Sequence, residues 1–204
     1  MRGLRQLVGV AGLGLALGAA GQPVTVSGVK YDESLELRGN KLQLNGAGTR
    51  YRAIIQVYAA GLYLPRKTTA AEEALAMPGA KRITVTMLRD IDSGELGRLF
   101  TRSVEDNMDK AAFSKLIPGL MRMSQLFTDI KKLSAGQSFS IDWVPGTGTI
   151  INVRGVPQGE PFREPEFFNA MLRIWLGPKP ADHSLKEALL GKAGPASNPA
   201  QTMN

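Results

Sequence analysis

The changing period of apolar residues along this chain predicts a single α+β domain. Runs of period two, rich in β-branched and aromatic residues, alternate with three stretches of helical period, and no internal repeat divides them. Strands are expected over residues 24–29 and 41–44, leading into a longer one. Gly46 and Gly48 open that longer strand, where each can supply a positive φ or a close backbone approach, and the β-branched and aromatic residues behind them extend it to Leu64. Another strand is expected over 82–87.

Asp92 and Glu95 form a capping pair for a helix reaching about Lys110, with Leu96, Leu99, Phe100, Val104 and Met108 on one face. In a second helix, Leu116, Leu120, Met123, Phe127 and Ile130 make a stripe that runs on to a stop at Gly136. Phe139, Ile141 and Trp143 then alternate with Ser138, Ser140 and Asp142 as a half-buried strand. Residues 149–153 can pair with it across a turn at 145–148. Pro165 suits the first turn of a last helix that buries Phe168, Met171, Leu172 and Trp175 and ends at Gly177-Pro178.

The strand after Gly46 is the candidate ligand site, because an apolar strand rarely begins with paired arginines. Read as one straight strand, it puts Arg50, Arg52, Ile54, Gln56 and Tyr58 on one side and Tyr51, Ala53, Ile55 and Val57 on the other. Cationic groups beside aliphatic surface suit a ligand with an anionic head and an apolar tail, since arginine is a permanent, bidentate partner for a carboxylate. Solvated arginines on an exposed face are the alternative. Eight residues of straight strand would hold Arg50 and Tyr58 roughly 26 Å apart, so their cooperation requires a bend or bulge. Arg50 is the first choice for the head group, with Arg52 as its substitute.

The two ends of the chain differ from the middle. Arg2 and Arg5 precede an apolar run over 7–17, and Gly18-Ala19-Ala20 offers small residues for cleavage, so residues 1–20 read as a secretory signal peptide cut after Ala20. The run is shorter than the roughly 20 residues of a spanning helix. Residues 21–191 then form the domain, in a periplasmic or secreted compartment, and residues 192–204 a disordered tail. Loss of the two arginines lowers the net charge from +7 to +5. The remaining positive charge is scattered, without a basic run interleaved with aromatics, which argues against nucleic acid and leaves room for peripheral contact with anionic membranes. The absence of cysteine excludes disulfides, thiolate nucleophiles and zinc-thiolate clusters. The lone histidine, His183, reads as a solvated loop residue, so no metal or cofactor is expected.

Gly46-Ala47-Gly48-Thr49-Arg50, followed by Val57-Tyr58-Ala59-Ala60-Gly61-Leu62-Tyr63-Leu64, resembles the chalcone isomerase-fold superfamily, in particular its bacterial chalcone isomerase-like branch. Arg82-Ile83-Thr84-Val85-Thr86-Met87 resembles the next strand of that family, and residues 167–177 its closing helix. The resemblance implies an antiparallel sheet with helices packed mainly on one face and a ligand cleft between the two layers. Plant members cyclise chalcones, using the motif arginine with threonine, tyrosine, lysine and asparagine groups. Fatty-acid-binding members keep the arginine and place a tyrosine where the enzymes have that threonine. Arg50 and Tyr58 occupy those places, and the stretch over 97–104 lacks the enzymic tyrosine and lysine.

The reading that follows is an exported, non-catalytic binder of a fatty acid or similar amphipathic carboxylate, with Arg50, Arg52 and Tyr58 as ligand-binding residues. The alternatives are an isomerase of the intramolecular-lyase type acting on a phenolic or enone substrate and, further, an envelope scaffold with a vestigial cleft. Phe100, Met108, Met121, Met123 and Phe127 either line an acyl-chain tunnel or simply fill the core.

Overall fold

The structure is a computed structural model that describes residues 22–192. The signal-peptide reading of residues 1–20 and, apart from Lys192, the tail reading of 192–204 lie outside the described residues. Where one strand was expected over 24–29 there is a hairpin of β1 (Val24–Val26) and β2 (Val29–Tyr31), because Ser27 and Gly28 both take positive φ, at 48° and 81°. Two such residues in succession reverse the chain with the twist that hairpins favour.

The strand expected over 41–44 runs on into the first half of the longer one, which is itself two strands. After β3 (Ser34–Leu37), the chain runs through β4 (Asn40–Arg52), reverses at Ala53 and Ile54, and returns as β5 (Ile55–Leu64). The short helix α1 (Ala71–Ala76) leads to β6 (Lys81–Met87), and β7 (Ile91–Asp92) to the helix pair α2 (Ser93–Asp106) and α3 (Lys110–Ile130). Asp92 caps α2 as expected, its Oδ1 accepting from the Glu95 amide at 2.7 Å. Asp109 caps α3 in the same way, so the first of the two expected helices ends at Asp106 rather than about Lys110, and Lys110 opens the second. Lys131, at φ 65°, stops α3 before Gly136, and β8 (Lys132–Leu133) pairs with β7. The chain continues through β9 (Ser138–Val144), β10 (Gly148–Val153), β11 (Val156–Pro157), α4 (Pro165–Leu176) and α5 (His183–Leu189).

Seven strands form one antiparallel sheet in the order β11-β10-β9-β6-β5-β4-β3. Every helix contributes its buried residues to the same side. There Leu96, Phe100 and Val104 of α2 and Leu120, Met123 and Phe127 of α3 meet Phe168, Met171 and Trp175 of α4 over the sheet residues Leu62, Ile83, Val85 and Phe139. Phe100 holds this layer together, with ring centroids 5.6 Å from Phe127, 5.7 Å from Phe139 and 5.7 Å from Trp175 in tilted and edge-on contacts. Leu99 is the exception to the expected face and stays partly exposed. The other sheet face is covered by β1 and β2, whose Val26 and Tyr31 pack on Leu42, Ala59 and Tyr63.

Asp142, expected on the wet face of β9, is buried there. It receives Arg82 Nε and Nη2, each at 2.6 Å, and Asn152 Nδ2 at 2.8 Å. A buried carboxylate is tolerable only when its oxygens are filled in this way.

The connector expected around His183 contains α5, capped by Asp182, whose Oδ1 accepts from the Leu185 amide at 3.0 Å. His183 itself is exposed on its first turn. α5 lies directly on β4, and this explains the two glycines. A Cβ at Gly46 would stand 2.0 Å from the Ala188 carbonyl oxygen, and one at Gly48 would stand 2.6 Å from Ala188 Cβ. Neither glycine has positive φ, so close approach is the reason for both. Asn45, the extra residue at a bulge in β4, fastens the same helix, donating to the Leu189 carbonyl at 2.7 Å while its Oδ1 accepts from the Thr68 amide.

Candidate functional site

The reversal at Ala53 and Ile54 makes Arg50 and Tyr58 cross-strand partners rather than distant residues of one strand. The single-face grouping of Arg50, Arg52, Ile54, Gln56 and Tyr58 therefore does not hold. Val57 is the extra residue of a β-bulge between the pairs Arg50↔Tyr58 and Tyr51↔Gln56. It turns both Val57 and Tyr58 towards the helix layer. Arg50 lies two residues beyond Gly48 on β4, past the end of α5, and its guanidinium carbon sits 5.6 Å from the centre of the Tyr58 ring. Arg52 pairs with Ile55 at the end of the hairpin and is exposed, away from Tyr58.

Tyr58 is fully buried, and its hydroxyl oxygen accepts a hydrogen bond from Trp175 Nε1 on α4 at 2.9 Å. Burial pushes the hydroxyl up to about 12, against the opposing pull of the Arg50 charge and the Trp175 N–H. It is therefore a neutral O–H at any ordinary pH, and no acceptor for its proton stands among the described residues. Arg50 Nε is likewise buried without a partner, and Arg50 makes no ion pair among the described residues. Asp182 also acts on the Tyr58 hydroxyl, but its oxygens are committed to the Tyr51 amide at 3.0 Å and the Leu185 amide at 3.0 Å. The corner thus holds a permanent cation whose buried Nε lacks a partner and, beside it, a hydroxyl proton without an acceptor, an arrangement that favours an oxyanion.

Trp175 is the site residue that sequence reasoning placed only in the core. The signal for it was general, because a buried indole N–H needs a partner. The residues of α2 turned to this layer, Leu96, Phe100 and Val104, carry no titratable group. Among the five residues put forward as a tunnel lining or core, Phe100, Met123 and Phe127 are packed core, Met108 is half-buried, and Met121 is exposed. Met121 lines a groove of about 790 Å³ between α2 and α3, together with Arg98, Arg102, Phe113, Ile117 and Leu120. No described helix is long and apolar enough to cross a membrane.

Residues 23–191 match the chalcone isomerase-like family, and the chain belongs to it. Among solved structures, it is similar to a fatty-acid binding protein from Arabidopsis thaliana, at 17% sequence identity and a TM-score of 0.68, over 83% of this chain and 96% of that one. That likeness establishes the α+β fold, with its antiparallel sheet and one-sided helix layer. No curated protein is significantly similar in sequence.

Proposed function

We propose that this chain is an exported carrier or sensor of a fatty acid or similar amphipathic carboxylate and performs no chemistry on it. The observation that carries the reading is the donor-only corner at Arg50 and Tyr58. Arg50 offers its guanidinium and Tyr58 its hydroxyl proton to the carboxylate, while Trp175 fixes the tyrosine oxygen from behind. For the aliphatic tail to enter between sheet and helices, the packed layer of Phe100, Phe127 and Trp175 must part, and each methylene then taken from water contributes about 0.8 kcal/mol. Family membership and the fatty-acid-binding structural neighbour support this reading. Arg52, exposed at the hairpin end, takes no part in holding the head group. Export rests on the composition of residues 1–20. An isomerase would require a free base near Tyr58, whereas α2 presents only apolar side chains there and both oxygens of Asp182 accept from backbone amides.

Native mass spectrometry of the protein purified from its host's periplasm, followed by organic extraction, tests the reading. A co-purifying carboxylate that is lost in Arg50→Ala and kept in Arg52→Ala is the expected result. Equal retention in both variants, with the fold intact, would overturn the assignment of Arg50.

A further inference from the structure

The β4–β5 hairpin outruns the sheet that carries it. β6 pairs with β5 only from Tyr58 onwards, and β3 pairs with β4 only over Asn40 to Gln43. As strand residues Tyr51, Arg52, Ile55 and Gln56 therefore pair only with one another, and beyond the Tyr51 amide, which Asp182 holds, the end of the hairpin stands clear as a two-stranded ribbon. At its apex Ile54 is 93% exposed, and the adjoining Ile55 is 46% exposed. Turns of this kind normally carry glycine, asparagine or aspartate, yet here Ala53 accepts a φ of 53° so that two isoleucines occupy the tip. The exposed Arg52 flanks them, and residues 50–58 contain no acid. The acid that reaches the hairpin, Asp182, does so at its root, where it accepts from the Tyr51 amide at 3.0 Å.

We propose that this tip is a membrane-docking wedge. Ile54 and Ile55 enter the boundary between head groups and acyl chains of a bilayer containing anionic lipid, while Arg52 lies against the phosphates. Aliphatic side chains beside a cation on a projecting turn match that boundary in both polarity and charge. A protein partner fits less well, because two side chains on a convex tip offer far less than the roughly 800 Å² that each side of a stable interface buries. Docking in this orientation brings the Arg50–Tyr58 corner, at the root of the same hairpin, to the surface where amphipathic carboxylates reside. This last step rests on the function proposed above, whereas the docking itself does not.

Co-sedimentation of the full chain with vesicles tests the wedge, since any contribution of the amino-terminal segment is common to wild type and variants. Vesicles of phosphatidylcholine alone are compared with vesicles containing a third phosphatidylglycerol. Ile54→Ser/Ile55→Ser should weaken binding to the anionic vesicles by about tenfold or more, because burying one isoleucine is worth more than a factor of ten in partition. Arg52→Gln should weaken it by about fivefold, and only when anionic lipid is present. Tryptophan at the apex, Ile54→Trp, should add emission that shifts to the blue on vesicles and is quenched by brominated acyl chains. Binding unchanged by the double serine substitution, or apex emission insensitive to the quencher, would overturn the proposal. So would conversion of an oligomer to a monomer by the same substitution without lipid, since the tip would then be a protein contact. Carboxylate retention by the double-serine variant, measured without vesicles, separates the two readings: vesicle binding reports the tip, and retention reports Arg50.

Discussion

Replacing Tyr58 with phenylalanine removes one oxygen from a fully buried position and leaves the ring in place. The Trp175 Nε1–H then loses its acceptor at 2.9 Å, in a layer closed to water by Phe100 and the sheet. An orphaned buried donor costs about 1–3 kcal/mol, so Tyr58→Phe should lower unfolding stability by that amount, or Tm by about 2–10 °C for a domain of this size. Trp175→Phe should cost more, because a cavity is added to the lost bond. In the double variant neither orphan remains, so its destabilisation should fall short of the sum of the single ones by about 1 kcal/mol or more. Urea denaturation of the four proteins, followed by circular dichroism, supplies the cycle. Strict additivity, or a Tyr58→Phe variant as stable as wild type, would refute the claim that the indole and the hydroxyl hold one another.

Gly46→Ala places a Cβ against the rigid carbonyl of Ala188, and the cost should reach about 3 kcal/mol or more. Gly97→Ala meets Ser124 at 3.3 Å and should cost about 1 kcal/mol or less, so thermal melts of the two should rank them clearly. The Lys81 ammonium, whose Nζ donates to the Leu75 carbonyl at 2.6 Å, is lowered by burial from 10.5 to about 8. Between those values the unfolded chain binds more protons, so stability should rise with pH from about 8 to 10.5, and Lys81→Met should abolish that rise in a pH series of urea midpoints. Tyr58 acts in the opposite sense. Its raised value makes the folded state hold the proton more tightly, so the stability it contributes is complete below pH 10 and lost towards 12, and Tyr58→Phe should make the alkaline limb shallower, the remainder coming from Tyr31 and Tyr63, which burial raises in the same sense. Asp182→Ala removes the cap of α5 and the anchor of Tyr51 together and should cost about 1–2 kcal/mol by denaturation.

The elements that stood out in the sequence were those whose signals are local. α4 runs from Pro165 to Leu176 as expected, because a first-turn proline, an apolar face and a closing Gly177-Pro178 all lie within its own span. The β9–β10 hairpin and the capped start of α2 were legible for the same reason. The hairpin that creates the candidate site was not. Its turn is Ala53-Ile54, with none of the residues that mark a reversal, and Ala53 adopts a positive φ that alanine ordinarily avoids. The arginine and tyrosine were chosen from a resemblance and a charge pattern. Their contact, and the preference for Arg50 over Arg52, depend on a turn that tertiary pairing imposes. α5 escaped notice because seven residues between prolines and glycine look like connector. Asp182 followed by Leu185 and Leu189 was nevertheless a cap with an apolar face at helical spacing.

The glycine track of β4 and α5, the helix that lies on it, are separated by well over a hundred residues of chain, so their contact closes only after the strands between them have been made. Until α5 has emerged, Gly46 and Gly48 present bare backbone and the Tyr51 amide lacks the Asp182 carboxylate. A truncated product ending before Pro180 would retain every strand of the sheet, yet its arginine strand would lack the cover that fixes it. α5 thus secures the arginine strand from a distant part of the chain, and the setting of Arg50 beside Tyr58 leans on that cover.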